Sequence, residues 1–271
     1  MIEFVDVYKS FGRHPVLAGF NLRIERGETF AIIGRSGCGK SVTLKHMVGL
    51  LKPDRGKVVV DGAEVSTLEG AALERVRRKF GFLFQGGALL NSLSVEENLG
   101  LPLREHHLAD EAEVTKRVTE TLELLELRQL EKVMPADLSG GMRKRVALGR
   151  AIITRPEIIL YDEPTTGLDP IMANVINDLI IRLKERFKIT SVVVTHDMKS
   201  TFKVADRIAL LYQGKIIRTG TSNEFQTSTD PYLLQFIKGT TEGPFQDEDE
   251  LKLKSTLSTP GGRAGTIKSN K

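Results

Sequence analysis

Gly34-Arg35-Ser36-Gly37-Cys38-Gly39-Lys40-Ser41 is the stretch on which the reading of this chain turns. It meets the phosphate-loop pattern G-x-x-x-x-G-K-[ST] at every fixed position. The apolar run Phe30-Ala31-Ile32-Ile33 before it reads as a buried strand. Val42-Thr43-Leu44-Lys45-His46-Met47-Val48 after it reads as a helix. Glycines let backbone N–H groups converge on an anion because no Cβ stands in the way. The helix start adds unsatisfied N–H groups and a positive dipole end. Lys40 is placed for the β- and γ-phosphates and the Ser41 hydroxyl for Mg²⁺. A glycine-rich turn that binds nothing is the competing reading, and the strand–loop–helix context argues against it.

Composition narrows the class. The chain has 271 residues, 40% of them hydrophobic and 27% charged, which is ordinary for a water-soluble globular protein of one large domain or two small ones. No apolar run approaches the roughly 18 residues that a membrane span needs. Met1-Ile2-Glu3-Phe4-Val5 lacks a basic region followed by a long apolar core, so no secretory signal is expected. Cys38 is the single cysteine, which excludes an internal disulfide and fits a reducing compartment. Nothing else marks it as reactive, so a small space-filling residue is preferred over a redox switch. A net charge of +4 reads as solvated surface and gives no argument for nucleic acid.

Upstream of the loop, residues 2–8 and 16–24 read as strands joined by the turn Ser10-Phe11-Gly12-Arg13-His14-Pro15. Phe11 is either a small hydrophobic anchor or a flat face for a nucleobase, and the residue alone leaves both open. Downstream, Pro53-Asp54-Arg55-Gly56 is a turn, 57–60 a strand, 69–79 a charged helix and 80–84 a strand with Gln85 at its end. A polar residue there can aim into a crevice. Residues 94–130 are helix-rich. Ser94-Val95-Glu96-Glu97 is a capping box, and Val114, Val118, Leu122 and Leu125 recur at helical spacing. His106-His107 cannot face one way on a helix and reads as solvated loop. Leu138-Ser139-Gly140-Gly141-Met142, followed by Arg143-Lys144-Arg145, opens a helix to Ile153. It is either an ordinary N-cap or a second anion-binding helix start.

Ile158-Ile159-Leu160-Tyr161-Asp162-Glu163 is a central strand ending in two carboxylates. In a phosphate-loop fold Asp162 belongs at Mg²⁺. Glu163 projects further and can polarise a water for attack on the γ-phosphate. Gly167-Leu168-Asp169-Pro170 turns into a helix through about 187. Ser191 to Thr195 is another buried strand with His196 at its C-terminal end, the edge that faces ligands in open α/β sheets. A hairpin over 207–212 and 215–219 and a helix Pro231 to Lys238 follow. From about Gly239 the composition shifts to Gly, Thr, Ser, Lys and acidic residues and supplies no core.

This ordered set resembles the nucleotide-binding subunit of an ABC transporter over about residues 2–225. The resemblance implies an α/β phosphate-loop NTPase fold, an ABC-type nucleotide-binding domain over 1–238 with a helical subdomain at about 94–152, and a flexible C-terminal tail over 239–271. It implies ATP and Mg²⁺ as cofactors. ATP is expected on Phe11, Gly34, Arg35, Ser36, Gly37, Cys38, Gly39, Lys40, Ser41, Ser139, Gly140, Gly141 and Asp169, and Mg²⁺ at Ser41, Gln85 and Asp162. Glu163, His196 and Gln85 are the expected catalytic residues. Phe11 takes the part of the adenine-stacking aromatic, Gln85 that of the Q-loop residue, Ser139-Gly140-Gly141 that of the signature, Asp169 that of the D-loop aspartate and His196 that of the switch histidine. Subunits of this family pair head to tail, with each ATP between one phosphate loop and the other subunit's signature, so a homodimer is expected.

Met142 stands where most such subunits carry Gln. With Phe84-Gln85-Gly86-Gly87-Ala88-Leu89-Leu90 and Pro102-Leu103-Arg104-Glu105-His106, it makes the chain similar to the ATPases of Mla/Mce lipid-transport systems. That likeness implies phospholipid transport between bacterial membranes and ATP hydrolysis coupled to it. The implied partners are a second ATPase subunit, integral-membrane permease subunits and further Mla/Mce-type subunits, with no nucleic acid. The implied location is cytoplasmic, peripheral on the inner face of the cell membrane. Leu234 to Gly239 and Glu242 to Phe245 are similar to the C-terminal segment of Mla-type subunits, which reaches across to the other ATPase subunit. So short a segment cannot bury Phe236 and Ile237 alone, so it docks on something, the neighbouring subunit by this likeness, or stays loose. The alternative is that Phe236 and Ile237 pack on their own domain and everything later is floppy. Residues beyond about 247 are expected to stay without a core. The alternative is a soluble ABC-type ATPase acting on ribosomes or DNA. Those proteins usually carry two ATPase sets or a long coiled-coil insertion, and this chain has neither. A small-molecule kinase shares the phosphate loop but has no use for a Ser-Gly-Gly signature.

Overall fold

In a computed structural model, residues 2–240 and 242–245 are described. They fall into two units, the first ending at Thr227 and the second starting at Ser228. The sequence reading places that division after Lys238; the structure places it before the last helix.

The first half of the larger unit runs β1 (Ile2–Phe11), β2 (His14–Ile24), β3 (Thr29–Ile33), α1 (Lys40–Met47), β4 (Arg55–Val60), β5 (Ala63–Glu64), α2 (Gly70–Arg77) and β6 (Phe80–Leu83). It continues with α3 (Val95–Glu105), α4 (Glu111–Leu124), α5 (Gly140–Ile152), β7 (Ile158–Asp162), α6 (Pro170–Phe187), β8 (Thr190–Thr195), α7 (Met198–Val204), β9 (Arg207–Tyr212), β10 (Lys215–Thr221) and α8 (Ser222–Gln226). The four-stranded sheet β2-β1-β4-β5 is antiparallel. The six-stranded sheet has the order β10-β9-β3-β8-β7-β6, parallel except for the β9–β10 hairpin.

The runs that read as buried strands are the middle of the larger sheet. β3 is buried at every residue and lies between β9 and β8. Alternate residues serve opposite faces. Leu160, Val192 and Val194 pack into the core shared with the antiparallel sheet, α1 and α2. Ile159, Tyr161 and Val193 pack into the core shared with α3, α4, α5 and α6. A parallel sheet covered on both faces explains why these strands are continuously apolar. Because β3, β8, β7 and β6 run parallel, their C-terminal ends share one edge, which carries Gly34, His196, Asp162-Glu163 and Gln85.

Helix starts follow the sequence signals. The Ser94 hydroxyl accepts from the Glu97 N–H at 3.3 Å and the Glu97 carboxylate accepts from the Ser94 N–H at 2.7 Å, the expected capping box. α6 runs over the expected Pro170–Phe187. The sequence reading omits β5, α7 and α8. β5 spans two residues and α7 is short, too little for a periodic signal. α8 does carry one, the capping box between Thr221 and Glu224. β1 and β2 extend further into the expected turn, leaving Gly12-Arg13 between them.

In the second unit, α9 (Pro231–Lys238) has the expected bounds, capped by Asp230 and ended by Gly239 in the left-handed region. The residues that follow, expected either to dock on another surface or to stay loose, fold back on α9. The Gln235 amide oxygen accepts from the Phe245 N–H at 2.7 Å, and its NH₂ donates to the Thr240 and Phe245 carbonyls at 3.4 Å. The Phe245 ring meets Tyr232 and Phe236 at centroid distances of 5.3 and 6.2 Å. One amide side chain with both donor and acceptor, plus ring edges, closes this short turn. The expectation for residues beyond about 247 lies outside the described residues.

β6 approaches α5 closely. A Cβ added at Gly81 would stand 2.1 Å from the Ala151 carbonyl oxygen, a backbone atom that cannot swing aside. Gly81→Ala is therefore expected to lower stability by about 1–3 kcal/mol, the usual scale of overpacking. Urea denaturation of the variant checks this, and an unchanged midpoint would show that strand and helix separate freely.

Candidate active site

The phosphate loop joins β3 to α1. Gly37 and Gly39 have φ of 81° and 109°, where only glycine sits without strain. A Cβ on Gly34 would lie 2.6 Å from the Leu211 carbonyl oxygen and 2.7 Å from the Cys38 sulfur. The loop is thus wedged against β9. Burial pushes the Cys38 thiol above its ordinary pKa, which disfavours the reactive thiolate and agrees with a space-filling role.

Lys40 is buried, and its ammonium donates to the Gly34 and Arg35 carbonyls at 2.8 and 3.1 Å. It lies 3.8 Å from the Glu163 carboxylate. The Ser41 hydroxyl donates to Asp162 Oδ1 at 3.0 Å, across the intervening strand β8. Burial holds the Asp162 carboxyl above the usual carboxylate range; the Ser41 bond opposes this and the Glu163 charge adds to it.

Glu163 has φ of 49°, in the left-handed region that non-glycine residues adopt only when held there. Its N–H donates to the Val194 carbonyl at 2.9 Å. Its carboxylate accepts from Thr166 Oγ1 at 3.0 Å, Thr195 Oγ1 at 3.1 Å and His196 Nδ1 at 3.0 Å. The donor role falls to the ring nitrogen, since a carboxylate only accepts.

These groups border a cleft of about 350 Å³. The loop contributes Ser36, Gly37, Gly39, Lys40, Ser41 and Val42, the strand ends contribute Gln85, Glu163 and His196, and Phe11 and Val16 complete it. Phe11 is 48% exposed, with the Lys9 ammonium 5.8 Å from its ring centroid. Asp162 reaches the cleft through Ser41. Ser139, Gly140, Gly141 and Asp169 do not line it. They sit together elsewhere: the Ser139 hydroxyl caps α5 through the Met142 N–H, Asp169 caps α6, and a Cβ on Gly141 would lie 2.3 Å from Met172 Cε.

Sequence reading missed Thr166 and Thr195, which hold the Glu163 carboxylate, and Lys144, which donates to the Gln85 carbonyl and, at 3.3 Å, to the Glu163 carbonyl. Lys144 did leave a signal. It shares a helical stripe with Gly141, Leu148 and Ala151, and a cation on an otherwise inward face is out of pattern.

A family model described as "ABC transporter" matches residues 17–166. The chain belongs to the ABC transporter family. It is an ATP-binding, ABC-type ATPase. It is 42% identical over 266 residues to the protein trigalactosyldiacylglycerol 3, chloroplastic, of Arabidopsis thaliana, covering 91% of this chain and 76% of that one. It is 39% identical over 244 residues to the intermembrane phospholipid transport system ATP-binding protein MlaF of Haemophilus influenzae, covering 90% and 92%. It is 37% identical over 269 residues to the probable ribonucleotide transport ATP-binding protein mkl of Mycobacterium leprae, covering 97% and 78%. Among solved structures, the dimeric bacterial ABC transporter cassette MJ0796 matches with a TM-score of 0.76 at 36% identity, covering 82% of this chain and 99% of that one. No helix of the described residues is long and apolar enough to cross a membrane.

Another titratable group on α1 is His46. His46 is buried; its Nδ1 donates to the Val42 carbonyl at 2.7 Å, and Nε2 has no hydrogen-bond partner among the described residues. Burial lowers its pKa; the Val42 bond and Asp54 oppose this, and Lys9 adds to it. The unfolded chain therefore binds the proton more readily, so the stability His46 contributes is intact above about pH 6.5 and is lost as pH falls through the depressed folded value. Urea midpoints at two pH values on either side of about 6.5 are expected to fall less in His46→Phe than in the parent protein. Equal falls in the two proteins would remove His46 from the acid response.

Proposed function

We propose that this ATPase energises phospholipid transport as the ATP-hydrolysing subunit of an Mla/Mce-type system. The observation that carries the catalytic reading is the shared sheet edge, where Lys40, Ser41, Gln85, Glu163 and His196 border one cleft. The lipid reading is supported by the match to MlaF over nine tenths of both chains and by Met142 in the signature.

The loop N–H groups and Lys40 hold the β- and γ-phosphates, and Phe11 faces the base. The Ser41 hydroxyl and the Asp162 carboxylate are hard oxygen donors within 3.0 Å of each other, a pair that fits Mg²⁺ completed by phosphates and water. Gln85 adds an amide oxygen from the strand end. Bound there, Mg²⁺ neutralises phosphate charge, and a dication would also offset the burial that disfavours ionised Asp162. Glu163 takes the proton of the attacking water, held by Thr166, Thr195 and His196. Ser139, Gly140, Gly141 and Asp169 stand off the cleft in their own chain, so they serve the ATP of a second copy in a head-to-tail homodimer. Permease subunits and further Mla/Mce-type subunits complete the assembly, with the ATPase peripheral on the inner face of the membrane and no nucleic acid partner.

Glu163→Gln keeps the shape and removes the basicity. It is expected to bind ATP and to lose turnover by about 10²-fold or more. Near-normal hydrolysis would remove Glu163 from the role of base.

Lys40→Ala and Ser139→Arg are each expected to inactivate the homodimer. A mixture of the two concentrates both lesions in one site of the mixed dimer and leaves the other intact, so part of the activity should return. A mixture as inactive as its components would count against paired sites.

The transport reading is checked by purifying the complex from detergent-solubilised membranes. Co-purifying permease subunits and bound phospholipid are expected; recovery with ribosomes or DNA would overturn it.

A further inference from the structure

Lys144 is only 7% exposed, on the face of α5 turned toward the sheet. Its ammonium donates to two backbone carbonyls, those of Gln85 and Glu163. Burial lowers its pKa, with the charges of Asp162 and Glu163 opposing. A buried cation is costly, and an apolar residue of similar volume would serve packing alone at least as well. Fold stability therefore gives a poor reason for a lysine here.

The acceptors give a better one. The Glu163 peptide is in the left-handed region, its N–H fixed on Val194 and its carbonyl on Lys144. The other acceptor belongs to the turn after β6, which α5 grips a second time where Arg150 donates to the Gly87 carbonyl at 3.0 Å. The same helix begins at Ser139. One rigid element thus joins the signature, the Gln85 turn and the backbone of the proposed base.

We propose that Lys144 is a positioning residue: by clamping the Gln85 and Glu163 carbonyls to α5, it sets the Glu163 carboxylate for hydrolysis and makes it follow the Gln85 turn and the Ser139 helix start. The proposal rests on the reading of Glu163 as the base.

The test uses the full chain with Lys144→Met, Lys144→Arg and Glu163→Gln. Lys144→Met removes both donors and keeps the bulk. Its kcat is expected to fall by about 10- to 100-fold, the scale for partners that orient a reacting group. Its KM for ATP should stay within about twofold, as for an interaction used in the transition state and not in binding. Lys144→Arg keeps the charge and several donors and should restore most of kcat. Amide hydrogen exchange at Gly86, Gly87, Thr165 and Thr166 should quicken in Lys144→Met and not in Lys144→Arg.

Normal kcat in Lys144→Met would overturn the proposal. So would a parallel loss of kcat, ATP affinity and thermal stability that Lys144→Arg does not repair, since that marks a residue needed only for folding. If Lys144→Met does not fold, Lys144→Gln, which keeps one donor group, takes its place with the same readings. Glu163→Gln separates the two ideas. If it hydrolyses ATP normally, the base assignment fails, while the exchange data still report whether Lys144 clamps the two backbones. If it is inactive and Lys144→Met is normal, the base stands and the clamp falls.

Discussion

Two carboxylates on adjacent residues, one buried and one half-buried, are the constraint around which the site is arranged. Asp162 ends β7 and Glu163 follows it, and like charges so close raise each other's energy when ionised. The backbone parts them: Asp162 finishes the strand in its extended form, and Glu163 turns into the left-handed region. Each then has separate partners. Asp162 receives Ser41 from the far side of β8, and Glu163 receives Thr166, Thr195 and His196. The parallel register makes this separation available, because the ends of β3, β7 and β8 come level on one edge.

The sequence shows that edge well because it is built from local signals. The loop pattern, the apolar runs and the polar residue after each run identify the strand ends, and strand ends are where an open α/β sheet holds its ligands. α6 and α9 begin with Asp-Pro, a cap followed by a residue suited to the first helical position, and the sequence reading places both helices where they occur. Phe11 was legible as an aromatic, but its exposure was not, since exposure depends on what packs over it. The partners of Glu163 were not legible: Thr166 and Thr195 are unremarkable residues until the turn after β7 and the end of β8 bring them to one carboxylate. The return of Phe245 onto Gln235 was hidden for the same reason, a contact made by tertiary closure and not by any period in the chain.

α5 connects these parts mechanically. It packs on β6 at the Gly81–Ala151 approach, where backbone meets backbone without a side chain between. Its N-terminus shares a contact with α6 through Gly141 and Met172. A helix fixed at several points by close approach moves as a body or not at all, because packed interiors transmit strain and do not absorb it.

Ser139 and Asp169 each close a helix end while standing at positions expected to face a second copy. The Ser139 oxygen spends a lone pair on the Met142 N–H, which leaves the hydroxyl proton available for a second acceptor. In the proposed head-to-tail pairing, two independent requirements meet on this one side chain. Capping admits Ser, Thr, Asp and Asn most readily. In the proposed pairing a neutral donor is offered to the partner's ATP, which excludes the carboxylate, whose charge would repel a phosphate. The intersection of the two alphabets is smaller than either, and in that pairing a substitution at Ser139 disturbs the helix cap and phosphate recognition together.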